Sequence, residues 1–266
     1  MRRVFLVAML ALLLCGGARA VDHQESKQEF VQRVYSSVVL LYGQTEDGGM
    51  RMHCTATAYK RVEKDGVKKT RFVSAAHCVE GDSDEEQARG KYFITSDSLG
   101  DKTFIPAKLV RAGDKMKGDD FSIFEVEGDK FSVVSVGDSK VLKVSDEVVD
   151  VSSPLGLGKI YFSGYIGSTH IDRPPLDAGE VQWNNVMIVE IGGGPGSSGS
   201  AVVSVEQKAI VGFVVGQFKG GNLGMVVIPV DQFKVFESAV DAGTYKKTPK
   251  KVSPEDFFGE KLGVRP

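Results

Sequence analysis

The sequence predicts an all-β fold, a sandwich or barrel arranged as two similar halves in tandem. Three observations predict it. Twelve short runs rich in Val, Ile, Phe and Tyr follow one another, each bounded by Gly, Asp, Asn or Ser turns. Six of these runs fall on each side of residues 128–137. Strands alternating with long helical patterns, the mark of a parallel α/β sheet, are missing.

The first half reads as strands at 38–42, 54–59, 70–74, 91–95, 104–110 and 121–126. The second half reads as strands at 147–151, 160–166, 186–191, 201–205, 209–215 and 225–230. Residues 26–33 are polar with interspersed apolar side chains and are assigned no element. Phe233, Val235, Phe236 and Val240 recur at helical spacing, which predicts a short helix over 231–240. Residues 241–266, lysine-rich around 246–251, read as a polar, weakly ordered tail. The acidic stretch 80–86 matches no calcium-loop spacing and reads as a solvated loop.

Composition bounds the function. The chain has 266 residues, 42% apolar and 26% charged, with a formal charge of -2. No basic excess points to nucleic acid or to an anionic membrane surface. Arg2 and Arg3 precede an apolar run to Leu14, and Ala18-Arg19-Ala20 places small residues at a cleavage site. Residues 1–20 therefore read as a secretory signal peptide, too short to span a bilayer and expected to leave no stable membrane insertion after cleavage. A lipoprotein site at Cys15 fits less well, because Leu14 stands where a small residue belongs. A twin-arginine signal fits less well because the charged region is very short. Loss of the three leader arginines takes the formal charge from -2 to -5. The expected location is secreted or periplasmic.

Export changes how the cysteines read. Without Cys15, only Cys54 and Cys78 remain, an even pair in an oxidising compartment that predicts a disulfide. Two buried free thiols are the alternative. A zinc site from the two His-Cys dipeptides, His53-Cys54 and His77-Cys78, is disfavoured because strand neighbours point to opposite faces. No metal or other cofactor is expected.

Three segments carry chemistry. His77 lies at a strand end behind two alanines, where a tethered ring can act as a general base or serve as a structural histidine. Asp120 enters an apolar strand, where a partly buried carboxylate needs a donor such as an imidazole N–H, or caps the preceding turn. The run Gly194-Pro195-Gly196-Ser197-Ser198-Gly199 lets the backbone turn sharply, expose a hydroxyl and aim successive N–H groups at one point. In isolation it also reads as a glycine-rich hairpin loop. The order His77, Asp120, Ser198 separates these readings from other hydrolases. No histidine follows Ser198, as an α/β-hydrolase requires, and no G-x-S-x-G elbow contains it. A subtilisin order needs a different acid and an α/β pattern. A cysteine–His170 dyad gives up the disulfide.

At these residues the chain resembles the chymotrypsin-like serine proteases. Residues 73–78 are similar to their histidine motif, 120–124 to their aspartate motif, and Gly196-Ser197-Ser198-Gly199 to their serine motif. Cys54 stands where the disulfide partner of Cys78 is expected. Residues 137–146, the run Pro154-Leu155-Gly156-Leu157-Gly158, and 224–229 before a helix resemble the HtrA-type bacterial branch. The resemblance implies two six-stranded antiparallel barrels, at about 28–130 and 137–230, with a short C-terminal helix closing a peptidase domain over 21–240. It implies His77, Asp120 and Ser198 as the triad, and Gly196 and Ser198 as oxyanion donors. Gly192, Val214, Val215 and Gly216 are implied as the substrate-binding wall.

Departures from the pattern carry expectations too. About 25 residues follow the helix, too few for the PDZ domain usual in that branch. Ser197 replaces the aspartate that receives a freed N-terminus in digestive proteases, so that route of activation is not expected. Ser200-Ala201 replaces the usual Gly-Pro. Gly192 stands where trypsins carry an acid, which predicts an apolar residue at P1, and no histidine stands within 211–218 to read an acidic one. The expected activity is a secreted serine endopeptidase acting on polypeptides through an acyl-enzyme. The alternative is a catalytically silent protease fold used as a binding or scaffold module, hinted at by Ser200-Ala201 and the Gly192-Gly193-Gly194 run.

Overall fold

All twelve apolar runs become strands. The computed structural model describes residues 25–45, 47–79, 87, 89–95, 103–172, 183–217 and 224–247. The leader, the acidic stretch at 80–86 and the end of the tail lie outside the described residues. The first half holds β1 (Val38–Gln44), β2 (Met50–Lys64), β3 (Val67–Ser74), β4 (Tyr92–Thr95), β5 (Ile105–Ala112) and β6 (Ser122–Glu127). They close into a barrel in the order β1-β2-β3-β6-β5-β4. The second half holds β7 (Glu147–Ser152), β8 (Ile160–Ile171), β9 (Val186–Glu190), β10 (Ala201–Ser204), β11 (Ala209–Gln217) and β12 (Met225–Pro229). These close in the order β10-β11-β12-β9-β8-β7. Every ladder is antiparallel. The fold is chymotrypsin-like.

Side-chain alternation explains why the runs look continuously apolar. Along β3, Phe72 points into the first barrel while Val73 joins a core between the barrels. Along β11, Val211 and Val214 fill the second barrel while Ile210, Phe213 and Val215 face the shared core. Both faces of these strands are buried, so period-2 alternation separates two apolar environments rather than core from water.

Two helices straddle the joint. The helix α2 (Val230–Asp241) begins as expected and carries Phe233 and Phe236 into the shared core. There the Phe233 ring meets Tyr59, Phe121 and Phe213 edge-on at 5.1, 5.4 and 5.1 Å. On its outer side, Glu237 accepts from Tyr59 Oη (3.0 Å) and Lys60 Nζ (3.1 Å), and Arg71 Nη1 reaches Asp241 at 2.6 Å. The helix α1 (Lys27–Ser37) corrects the sequence reading, which assigned no element there. A capping box opens it: Glu29 N–H donates to Ser26 Oγ (3.2 Å) and Ser26 N–H donates to Glu29 Oε2 (2.8 Å). Phe30 and Val34, one turn apart, drive its face into the shared core. No helix of the described residues is long and apolar enough to cross a membrane.

Candidate active site

Register brings the histidine and the acid together. Strands β3 and β6 are antiparallel neighbours with Ser74 opposite Ser122. The chain leaving β3 therefore passes the chain entering β6, three residues before His77 and two after Asp120. A 3₁₀ turn over Ala76–Cys78 presents His77, and Ser122 Oγ donates to Ala75 O (2.9 Å) to hold the turn against β6. Cys54 on β2 forms a disulfide with Cys78. The two sulfurs and the His77 ring lie within 4.8 Å of one another, but sulfurs joined in a disulfide are no longer thiolate ligands.

Asp120 is fully buried and grips His77 twice. The His77 main-chain N–H donates to Oδ1 at 2.8 Å, and ring Nδ1 lies 2.7 Å from Oδ2. An ionised carboxylate only accepts, so Nδ1 carries the proton of the neutral ring and Nε2 is left as the base. Burial alone pushes the His77 pKa down, but the Asp120 charge and hydrogen bond outweigh it. Together, and against a small opposing effect of Lys115, they raise the pKa above 6.5. The side chain keeps 31% of its exposure, so the ring is open to a reactant.

The serine loop is sewn to the first barrel by one threonine of β2. Thr55 N–H donates to Ser198 O (3.0 Å), and Thr55 Oγ1 donates to Gly196 O (2.8 Å). The same oxygen accepts from Ser153 N–H (3.0 Å), while Thr57 Oγ1 accepts from Ala201 N–H (3.2 Å). Gly199 has φ +83°, and a Cβ there would collide with Ser74 Oγ and Thr55 O, so a glycine is required on both counts. Ser197 is buried, its Oγ accepting from Gly194 N–H at 3.2 Å. Ser198 is half-buried, and no hydrogen bond joins its hydroxyl to His77 among the described residues.

The two expected oxyanion donors are unengaged: among the described residues, neither Gly196 N–H nor Ser198 N–H has an acceptor. Leu155, at φ 55°, donates its N–H to Pro195 O at 2.6 Å. In a trans peptide the N–H points opposite the carbonyl, so this bond turns Gly196 N–H away from Leu155.

The expected substrate wall divides. Val214 uses both main-chain groups internally, accepting from Gly199 N–H (2.7 Å) and donating to Ser200 O (2.9 Å). Strand β10 ends its pairing there, while β11 runs on through Gly216 to Gln217 with only β12 beside it among the described residues. Val214 and Val215 are buried, Gly216 is half-buried. A Cβ on Gly192 would strike the Phe162 ring, and one on Gly193 would meet Met225 Cε at 2.9 Å, with Ser197 Oγ next at 3.4 Å, so the nearest side chains on this side of the site are those of Phe162 and Met225.

Sequence reasoning missed several residues. Trp183 donates from Nε1 to Asp120 Oδ2 at 3.3 Å, and nothing in its local sequence marks it. Tyr245 accepts from Asp114 N–H (2.8 Å) and donates to Asp119 Oδ2 (3.0 Å), pinning the chain after α2 to the loop that carries Asp120. Thr55 and Thr57 alternate with Ala56 on β2, a pattern that could have been read as polar positions on one strand face.

With this geometry in place, the class follows. The chain belongs to the trypsin-like peptidase domain family, whose model matches residues 54–213. Its similarities lie on the HtrA and DegP-like side of that family. It is 26% identical over 152 residues to a probable periplasmic serine endoprotease, DegP-like, of Hahella chejuensis (strain KCTC 2396), covering 56% of this chain and 31% of the relative. It is 29% identical over 154 residues to the like-named protein of Rhizobium meliloti (strain 1021), covering 56% and 29%. The chain thus matches about a third of the length of these relatives. Among solved structures, the HtrA-type protease AlgW with decapeptide superposes with a TM-score of 0.62 at 16% identity, covering 91% of this chain and 76% of that one. AlgW with tripeptide gives 0.61 at 17% identity, covering 82% and 64%.

Proposed function

We propose that the protein is a secreted or periplasmic serine endopeptidase using Ser198, His77 and Asp120. The observation that carries this reading is the buried Asp120 gripping His77 from two donors, beside a loop that offers Ser198 with two unengaged N–H groups. His77 Nε2 takes the Ser198 proton as Oγ attacks the scissile carbonyl, and Asp120 stabilises the imidazolium that forms. Gly196 and Ser198 N–H receive the oxyanion, a type of contribution worth roughly 3–4 kcal/mol per donor. The imidazolium then protonates the leaving amine, and water, with His77 again as base, releases the acyl group. The peptide is expected to extend β11 beyond Val214, at Gly216, as an added strand. Phe162 and Met225 behind Gly192 and Gly193 support an apolar P1 residue. The periplasmic naming of the relatives agrees with the leader read at 1–20.

A second reading, a catalytically silent binding module, is favoured by one observation: the Ser198 hydroxyl is not bonded to His77. Catalytic hydrogen bonds often tighten only in the substrate complex. Labelling with a fluorophosphonate distinguishes the two readings. The mature protein is expected to gain one adduct on Ser198, located by peptide mass, and Ser198→Ala none. A folded protein that stays unlabelled, with and without added peptide, would favour the binding module.

A further inference from the structure

We infer that Trp183 is a positioning residue for the His77–Asp120 pair, its indole N–H sharing carboxylate oxygen Oδ2 with the imidazole. The inference rests on the proposed role of that pair. Asp120 lies at zero exposure, where each carboxylate oxygen needs a donor inside the protein. Oδ1 is held by the His77 main-chain N–H, while Oδ2 takes Nδ1 at 2.7 Å and Trp183 Nε1 at 3.3 Å. The last is the one side-chain donor from outside the His77 turn among the described residues. It comes from the segment leading into β9, on the second barrel, whereas Asp120 and His77 belong to the first.

The indole is itself fixed from two sides. A Cβ on Gly216 would stand 2.9 Å from Cη2 and 3.3 Å from Cζ3 of Trp183, so the missing side chain of Gly216 is the slot that admits the ring. Following it, the carbonyls of Asn184 and Asn185 accept from Gln232 Nε2 of α2 at 3.4 and 2.7 Å. The benzo rim of the ring therefore lies against the strand that the peptide is expected to extend, and the N–H edge holds the acid. A substrate strand settling on Gly216 presses on the same ring that orients Asp120.

A third donor weakens the pull of Asp120 on the imidazolium and restricts rotation of the carboxylate. Trp183→Phe keeps a ring against Gly216 and removes the donor. The His77 pKa, read by ring NMR, is expected to rise in that variant, because Asp120 without the indole donor pulls harder on the imidazolium while Lys115, the other charged neighbour, opposes it as before. The acid limb of the Ser198 labelling rate should move up with it, and the plateau rate should fall roughly tenfold. An unchanged midpoint and an unchanged plateau would overturn the inference while leaving the peptidase reading intact. Trp183 is the single tryptophan of the chain, so the wild-type protein offers a test that needs no variant. Its one indole N–H resonance should titrate with the His77 midpoint, and a resonance blind to that midpoint would also overturn the inference. A wild-type protein that never labels, yet whose indole resonance tracks His77, would overturn the peptidase reading and support the Trp183–Asp120 link.

Discussion

At residue 150 a carboxyl stands inside the wall of the second barrel, on the β7 face that carries Val148 inward. Ser152 Oγ donates to its Oδ2 at 2.7 Å, while Oδ1 and the neighbouring Ser200 hydroxyl are both buried and have no hydrogen-bond partner among the described residues. Burial raises the Asp150 pKa from 3.8 to about 7, against the smaller opposing effects of Ser152 and Ser200. The folded chain therefore holds this proton where the unfolded chain releases it. Below pH 3.8 both states carry it and no cost arises. As pH rises from 3.8 to about 7, stability falls, and above that the loss is constant at no more than about 4 kcal/mol. Asp150→Asn removes the ionisation and offers Ser200 Oγ a donor. Its gain in Tm over wild type should be small at pH 4 and grow up to pH 8, as measured by calorimetry. A gain independent of pH would show that Asp150 does not titrate in this window. In the sequence Asp150 is only a polar residue within an apolar run, because the pairing of β7 with β10 that sets it beside Ser200 is a long-range fact.

Among the elements, β2 does most to place the serine. Thr55 is a strand residue of the first barrel, yet its hydroxyl serves the second, donating to Gly196 O and accepting from Ser153 N–H. Thr55→Val keeps shape and removes both bonds, leaving the buried Ser153 N–H unpaired at about 1–3 kcal/mol and the half-buried Gly196 carbonyl without its donor. A lower Tm and slower labelling of Ser198 are expected together. Wild-type labelling from a clearly destabilised variant would show that the loop is positioned by the Thr55 N–H and Gly199 alone. Strands of this kind were legible, since β-branched runs between turn residues report their own conformation. The helix α1 was not, although Ser26 and Glu29 spell its capping box: Phe30 and Val34 supply too narrow an apolar stripe to stand out. His77, Asp120 and the glycines around Ser198 were legible because the proposed chemistry demands those residue types, and their order along the chain is the one the resemblance to chymotrypsin-like proteases implies. Thr55 and Trp183 were not, because their roles arise only when the two barrels meet.

In the molecule as a whole, the site depends on a joint rather than on either barrel. Phe121 follows Asp120 in the chain, and its ring lies 5.4 Å from Phe233, 5.9 Å from Phe213 and 5.8 Å from Phe236. Phe121 comes from the first barrel, Phe213 from the second, and Phe233 and Phe236 from α2, which closes the joint from behind. Phe233→Ala should cost about 3–5 kcal/mol, and it opens space directly behind the residue next to Asp120. Phe124 offers the contrast, a fully buried ring that fills the interior of the first barrel against Tyr92 at 5.3 Å. Phe124→Ala should destabilise by a similar amount without loosening the joint. Both variants are to be compared at a temperature where each is fully folded by circular dichroism. There Phe233→Ala should label Ser198 more slowly than wild type, whereas Phe124→Ala should keep the wild-type rate. Equal slowing in the two would mean that the proposed triad senses overall stability, and the aromatic joint would then be packing and nothing more.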